Sequence, residues 1–208
     1  MSRSIQRLWS SGAAAAVLLA FGVLVAGCAG RSAVVSDIRY DFGPPSEVAS
    51  AGSLPAVKVL DVTAPPVLES DRLIYRLSYV DAQQTASYAN SHWTMMPSQL
   101  LTQRLRGVLS SHGTVLTGAD GVAAPVLKVD LMEFEQVFDS QTESHGAISA
   151  RATLTRSGKV IGQRTFSTRA PAGSADAIGG ARALATASDD LVAQIVVWLG
   201  AQATVAAQ

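Results

Sequence analysis

Apolar and polar residues alternate over much of the chain, as they do in half-buried β-strands. The alternating runs lie at 37–42, 57–62, 73–80, 85–93, 114–117, 125–139, 145–156 and 160–168. The last two runs flank residues 157–159, where Gly158 tolerates the positive φ of a tight turn. The polar link 81–84 predicts a second hairpin, between the runs 73–80 and 85–93. The pattern therefore predicts a sheet built largely of antiparallel strands.

Two segments have helical periodicity instead. Pro97 is tolerated at a first helical position, and a helix is expected from there to just before Gly113. Its buried positions are Leu101, Leu105 and Val108, and its opposite, polar face holds Gln103, Arg104 and Arg106. A second, closing helix is expected at about 175–200. Its apolar stripe consists of Ile178, Ala181, Leu184, Leu191, Ile195 and Trp198. The fold class is α/β, with a mixed, largely antiparallel sheet and two main helices packed on it.

The amino-terminal segment has the pattern of an export signal. Arg3 and Arg7 precede an uncharged run at 12–27 that is rich in Ala, Val and Leu. Such a run is shorter than the stretch of about 20 residues that a membrane-spanning helix needs. We therefore expect residues 1–27 to be a signal peptide that precedes the folded domain.

The single cysteine of the chain directly follows this segment. One cysteine excludes an intrachain disulfide and a four-thiolate metal site. The sequence Val25-Ala26-Gly27-Cys28 resembles the lipobox of bacterial lipoproteins. That resemblance implies cleavage before Cys28, a thioether-linked diacylglycerol on its sulfur, and an amide-linked acyl chain such as palmitate on its amino group. The alternative is that Cys28 is an ordinary buried apolar residue at the end of a signal peptide or anchor helix.

Acylation would hold the protein at a membrane. Because each buried methylene contributes about 0.8 kcal/mol, three acyl chains make an effectively permanent anchor. By resemblance to lipoprotein sorting, the lack of Asp at Ala29 favours the outer membrane over the inner one. Cleavage would remove 27 of 208 residues and two of 16 cations, which leaves 181 residues with 14 cations against 16 acids. We expect a lipidated tether and first edge strand at 28–54, the main domain at 55–200 and a disordered tail at 201–208.

The rest of the chain predicts no catalytic, cofactor-binding or metal-binding residue. The balanced charge disfavours nucleic-acid binding. A hydrolase would need a base beside a nucleophile, and the three candidates, His92, His112 and His145, lie in no recognisable motif.

Three acids on one predicted strand are a second candidate for chemistry. Glu133, Glu135 and Asp139 alternate along the strand and share one face. A calcium or acid–base site is imaginable there, but a solvated sheet face is favoured because the loop glycine and ligand spacing of a calcium site are missing.

Two further features leave alternatives open. A predicted hairpin cluster, Tyr75, Arg76, Tyr79, Tyr88 and Trp93, consists of residue types that anchor interfaces. A division of the same residues is favoured, in which alternate members pack into the core and the rest lie on the surface. An apolar groove between the closing helix and the sheet could hold an acyl chain or be ordinary core.

The motifs around this hairpin carry a family resemblance. Pro65-Pro66-Val67-Leu68, Ile74-Tyr75-Arg76, Tyr88 and the segment WTMMPSQLL at 93–101 resemble the ABC-type transport auxiliary lipoproteins, the PqiC-like components of intermembrane transport. The resemblance spans about 37–199. It implies a non-enzymatic periplasmic domain that works with an MCE-type substrate-binding protein and an ABC permease and ATPase. These systems are associated with moving lipids and other hydrophobic molecules.

Two other functions remain open on the sequence alone. The chain could be a structural or assembly lipoprotein of the cell envelope, or a lipoprotein hydrolase. Assembly into a homo-oligomer is also open.

Overall fold

The computed structural model describes residues 36–45 and 52–206, with side chains described up to Gln202. The chain divides into Met1–Ser36 and Asp37–Gln208, and the described strands and helices all belong to the second unit. The expected signal peptide, Cys28 and the tether as far as residue 35 lie outside the described residues.

Eight strands form one sheet within the described part of the chain, and two helices pack against it. The strands are β1 Ile38–Tyr40, β2 Val57–Val59, β3 Arg72–Leu77, β4 Thr85–Trp93, β5 Val115–Leu116, β6 Val126–Phe138, β7 Ser144–Arg156 and β8 Lys159–Pro171. The helices are α1 Pro97–Ser110 and α2 Ala177–Ala206, and a 3-10 turn covers Pro66–Leu68. The predicted α/β class is confirmed.

The long strands β6, β7 and β8 follow one another as antiparallel neighbours. The turn between β7 and β8 has φ values of 50° at Ser157 and 77° at Gly158. Two consecutive positive φ angles match the twist of the flanking strands, so this turn fixes the hairpin. The predicted hairpin of β3 and β4 is also present.

Parallel pairings complete the sheet around β6. On the side away from β7, β6 pairs with β3 near its carboxyl end, where Tyr75 is opposite Gln136. It pairs with β2 near its amino end, where Lys58 is opposite Val126. Strand β1 adds in parallel to β4, and β5 adds in parallel to β2. Strand β8 pairs only with β7 and forms one edge of the sheet.

The core lies between the sheet and α2. Leu184, Leu191 and Ile195 of α2 have no exposed surface. The hydroxyl of Thr168 on β8 donates a hydrogen bond of 2.8 Å to the carbonyl of Ala187. By length and composition, Ala177–Gln202 is the one helix among the described residues that could cross a membrane, yet 56% of its apolar window is buried within the domain. A helix covered in this way by its own sheet is a core helix.

The predicted polar face of α1 was wrong at Arg104, which is buried. Its Nη2 donates hydrogen bonds of 2.7 Å to the carbonyls of Phe42 and Gly43. Its Nη1 lies 3.1 Å from Oδ1 of Asp189 on α2. Helical periodicity marks Arg104 as polar, but α2 and the chain after β1 cover this side of α1 and supply partners for the charge.

The predicted stripe of α2 was wrong at Ile178, which is 44% exposed. The helix approaches the sheet at this end through Gly180, because a Cβ there would overlap Oε1 of Gln136 on β6. That close approach turns Ile178 outward. The helix also continues to Ala206, past the end expected near residue 200.

Candidate functional site

Arg76 and Glu135 form a bidentate ion pair between neighbouring strands. Nε and Nη2 of Arg76 donate to the two carboxylate oxygens of Glu135 at 2.6 and 3.0 Å. Nη1 of Arg76 donates to the carbonyl of Ala82 at 2.6 Å. The hydrogen bond to Glu135 raises the pKa of the guanidinium above its usual value. This geometry fixes the register of β3 on β6 and leaves Arg76 engaged within the fold.

Tyr75 and Tyr88 face the helix side of the sheet. Their ring centroids are 4.8 Å apart. The hydroxyl of Tyr88 donates to Oε1 of Gln136 at 2.9 Å, and Nε2 of Gln136 donates to Oγ of Ser144 at 2.8 Å. Burial raises the pKa of Tyr88 to about 12. Sequence reasoning missed Gln136, because a glutamine in an alternating strand carries no signal that it is a fully buried link between three strands.

The remaining two residues of the predicted hairpin cluster, Trp93 and Tyr79, lie in different environments. Trp93 has no exposed surface, and its ring makes edge contacts with Phe42 and Phe134 at centroid distances of 5.8 and 5.5 Å. Tyr79 is 43% exposed, just beyond β3. The structure therefore divides the cluster between core and surface and does not gather it into one patch.

The three acids of β6 and its turn do not form a common site. Glu135 is bound by Arg76 and is buried, so the expected solvated face was wrong at this position. Asp139 lies 2.7 Å from Nδ1 of His145. Glu133 is half-buried and, together with Glu135, helps to raise the pKa of Arg76, whereas Asp139 has a separate partner in His145.

The histidines lie on separate elements. Nδ1 of His92, on β4, is 2.6 Å from Oδ1 of Asp37, and this hydrogen bond is the main cause that lowers the pKa of Asp37. The carbonyl of His112, just after α1, accepts a hydrogen bond of 2.7 Å from the amide of Leu54. Among residues 36–45 and 52–206, no group of three His, Cys, Asp or Glu is arranged to hold a metal ion.

The pocket at the carboxyl end of α2, between this helix and the sheet, has little room for a ligand. At the carboxyl end of α2, a cavity of about 30 Å³ is lined by Leu54, Leu154, Ile161 and Leu199. For comparison, an apolar cavity of about 150 Å³ binds benzene. The alternative of ordinary core therefore describes this part of the structure better than an acyl-chain groove.

Two wider grooves run along α1. One, of about 680 Å³, lies between α1 and the chain after β2, and Asp61, Glu69, Arg106 and Met96 are among its lining residues. The other, of about 290 Å³, lies between α1 and the chain after β1, beside Arg104. Both are open and mixed in polarity, as surfaces that contact other molecules often are.

Proteins of similar fold have solved structures. A protein from Xanthomonas campestris is similar at a TM-score of 0.68 with 19% identity, over 82% of this chain and 96% of that one. A hypothetical protein from Chlamydia trachomatis is similar at a TM-score of 0.51 with 11% identity, over 74% of this chain and 99% of that one. At these identities the likeness shows a shared fold. None of the curated proteins matches the sequence significantly.

The family is shown by the sequence itself. The model of the family described as "ABC-type transport auxiliary lipoprotein component" matches residues 40–196, which is most of the folded domain. The match includes the core residue Trp93, the Arg76–Glu135 pair and both helices up to Val196. The chain therefore belongs to the family of ABC-type transport auxiliary lipoprotein components.

Proposed function

We propose that this protein is an outer-membrane-anchored, periplasm-facing auxiliary component of an ABC/MCE-type intermembrane transport system for lipids or other hydrophobic molecules. The observation that carries the proposal is the position of the only cysteine. Cys28 stands in the sequence Val-Ala-Gly-Cys, shortly before the family match begins at residue 40. A single thiol placed between an export signal and a transport-associated domain is what a lipid-tethered auxiliary protein requires.

The role of the folded domain is contact with partner proteins. Arg76 and Glu135 satisfy each other, and His92 and His145 each bind a carboxylate. The cavity of about 30 Å³ beneath α2 supports docking over carriage of a lipid inside the domain. ATP hydrolysis is assigned to a partner ATPase, and substrate binding to an MCE-type protein.

Acylation is tested by substituting the thiol. In the native envelope, the wild-type chain is expected to incorporate an alkyne-labelled palmitate and to sediment with outer membranes. Cys28→Ala is expected to lose the label and the membrane association, because no sulfur remains to accept the diacylglycerol.

Ala29→Asp is the matched control. It keeps Cys28 and is expected to retain the label while moving the protein to the inner-membrane fraction. Equal membrane association of wild type and Cys28→Ala, with no palmitate label in either, would contradict the proposed anchor.

The partnership is tested separately by crosslinking in cells that express the wild-type chain. The expected adducts contain an MCE-type protein or its permease. Reproducible adducts with only cell-wall or assembly proteins would support the structural alternative and overturn the transport assignment.

A further inference from the structure

The β7–β8 hairpin is the basic part of a chain whose formal net charge is zero overall. Residues 144–171 contain no Asp or Glu, although the whole chain has 16 acids and 16 cations. The five cations of the hairpin, all exposed, are Arg151, Arg156, Lys159, Arg164 and Arg169. A run of 28 residues without an acid is visible in the sequence. Only the structure shows that all these cations lie on the two strands at one edge of the sheet.

Several of these charges are not neutralised by the fold. Within the described part of the chain, no carboxylate makes an ion pair with Lys159 or Arg169. Arg164 lies over the ring of Phe166, 5.1 Å from its centroid, and likewise has no carboxylate partner among those residues. Arg151 differs, because it lies opposite Asp130 on β6 and helps to lower the pKa of that carboxyl group. The hairpin therefore presents positive charge to solvent along its length.

The backbone of β8 is also available along its outer edge. Strand β8 is 13 residues long and pairs only with β7. Its register on β7 is regular from Gly162 to Pro171; before that, β8 has one bulge, because Leu154 is opposite Gly162 and Thr155 is opposite Val160, which leaves Ile161 as the extra residue. Alternate amides and carbonyls of such a strand point outward and are able to form a further ladder.

Basic side chains on an edge strand also have a protective function, since they discourage pairing between copies. Proteins that only protect an edge commonly shorten the strand, bulge it or place a proline within it. Strand β8 has one such bulge, at Ile161, but the segment from Gly162 to Pro171 has none of these devices before the final proline. Length, regularity and unpaired charge together favour a binding edge.

We propose that the outer edge of β8 binds an extended, acidic segment of a partner protein, which adds to the sheet as a further strand. The ladder would provide the backbone hydrogen bonds. Asp or Glu side chains of the segment would meet Arg169 on the face of the sheet away from α2, while Arg164, on the helix side beside Phe166, would add to the positive field. The inference goes beyond the proposed function, because it concerns a surface and the chemistry of its ligand, whichever machine supplies the segment.

Two other occupants fit the observations less well. A second copy pairing through its own β8 would bring the arginines of one strand close to those of the other. The other edge strands, β1 and β5, have only three and two residues and offer short ladders. An anionic membrane would attract the charges but would not form a ladder of hydrogen bonds with the outward amides.

The test uses a fluorescent peptide of about ten residues in which Glu alternates with Thr and Val, and a second peptide with Lys in place of Glu. With the full mature chain in detergent, the acidic peptide is expected to raise fluorescence anisotropy and the basic peptide is not. Hydrogen exchange of β8 amides between Gly162 and Pro171 is expected to slow when the acidic peptide binds. Equal binding of both peptides, or protection only at other elements, would overturn the proposal.

Charge reversal separates this edge from general electrostatic attraction. Arg169→Glu is expected to weaken binding of the acidic peptide about tenfold, which corresponds to about 1.4 kcal/mol. Arg182→Glu makes the same change of charge at an exposed position on α2; it is the control and is expected to change affinity less than about twofold. Unchanged thermal unfolding of both variants shows that each is folded. Equal losses in both variants would reject the β8 edge.

Two further measurements test the alternative occupants, a membrane and a second copy of the chain. Phosphatidylglycerol vesicles added to the Cys28→Ala chain are expected to leave hydrogen exchange of the β8 amides unchanged. If the vesicles slow this exchange and the acidic peptide does not, the edge is a membrane-binding surface and the proposal is wrong. Light scattering of the chain alone is expected to give the same mass for wild type and Arg169→Glu. A mass that falls in the variant would identify a second copy as the occupant and overturn the proposal.

Discussion

Asp176 binds the amino end of α2 through its carboxylate. Its Oδ1 accepts hydrogen bonds from the amide of Gly179 at 2.8 Å and from the hydroxyl of Ser174 at 2.7 Å. The amide of Gly179 is the main cause that lowers the pKa of Asp176. An ionised acid just before the first helical residue satisfies a free amide and interacts favourably with the helix dipole.

Replacement of this residue tests the contribution of the cap. We expect Asp176→Ala to lower the free energy of unfolding by about 1 kcal/mol near neutral pH. Because the pKa is lower in the folded than in the unfolded state, the contribution is complete above about pH 4 and is lost as the pH falls through the folded pKa. Urea unfolding at a series of pH values should show the difference between wild type and variant shrinking toward about pH 2.

Asp190→Ala is the comparison, since Asp190 is exposed within the same helix and is not at its amino end. Its effect should stay within about 0.5 kcal/mol at every pH. A difference for Asp176→Ala that is equally large in neutral and in strongly acidic solution would show that the carboxylate charge is not what stabilises the helix.

At the scale of elements, α2 meets the sheet through small residues. A Cβ at Gly146 on β7 would lie 2.7 Å from the carbonyl carbon of Ala183, and one at Gly180 would overlap the side chain of Gln136. Gln136 cannot easily move, because it is fully buried and hydrogen-bonded to Tyr88 and Ser144. The spacing of helix and sheet is therefore set by glycine.

Alanine should have opposite effects at a glycine of α2 and at one of α1. Gly180→Ala is expected to lower the free energy of unfolding by about 1–3 kcal/mol, because the methyl group would force the helix or Gln136 out of place. Gly107→Ala is the matched control on α1, where a Cβ would meet nothing within 4 Å. It should stabilise the protein by about 0.5–1 kcal/mol through helix propensity. Chemical unfolding measures both, and stabilisation by Gly180→Ala would contradict the close packing of α2 on β6.

The elements that sequence reasoning found are those determined by nearby residues. Pro97 marks the start of α1, and Ser157-Gly158 marks the turn between β7 and β8. The parallel pairings of β3 and β2 with β6 were not predicted, because they join segments that are distant in the chain. The apolar–polar alternation within each segment does not indicate which strand it pairs with. Arg104 was misplaced for the same reason, since its partner Asp189 lies on a distant helix. Cys28 lies outside the described residues, and its acylation stays a prediction.

At the scale of the whole molecule, Arg104 connects three parts of the chain. It lies on α1, binds the carbonyls of Phe42 and Gly43 just after β1, and pairs with Asp189 on α2. Its guanidinium also lies 5.7 Å from the centroid of the Phe42 ring. The side chains of Arg104 and Asp189 are only 6% and 11% exposed, so water contributes little to either charge.

Removing one member of this pair should therefore be costly. Arg104→Ala is expected to lower the free energy of unfolding by about 3–5 kcal/mol, because it leaves Asp189 charged without its arginine. Arg104→Lys should recover only part of the loss, since an ammonium does not reproduce the planar set of donors. Gln103→Ala, at the exposed neighbouring position, is the control and should stay within about 0.5 kcal/mol.

A double-mutant cycle with Asp189→Asn distinguishes the ion pair from packing. If the pair carries the effect, the two substitutions together should destabilise by clearly less than the sum of their separate effects. Simple additivity would assign the loss to packing of the arginine stem.

The central place of β6 has a consequence for the order in which the chain becomes structured. Synthesis begins at the amino end, but β2 and β3 must wait for residues 126–138 before their shared neighbour exists. Once β6 is made, β7 and β8 join it through connections of only a few residues, at a small entropic cost of loop closure. A nascent chain halted before residue 126 can pair β3 with β4 and β2 with β5, yet it has no strand to unite the two pieces. The later part of the polypeptide is thus the template on which the earlier part assembles into one sheet.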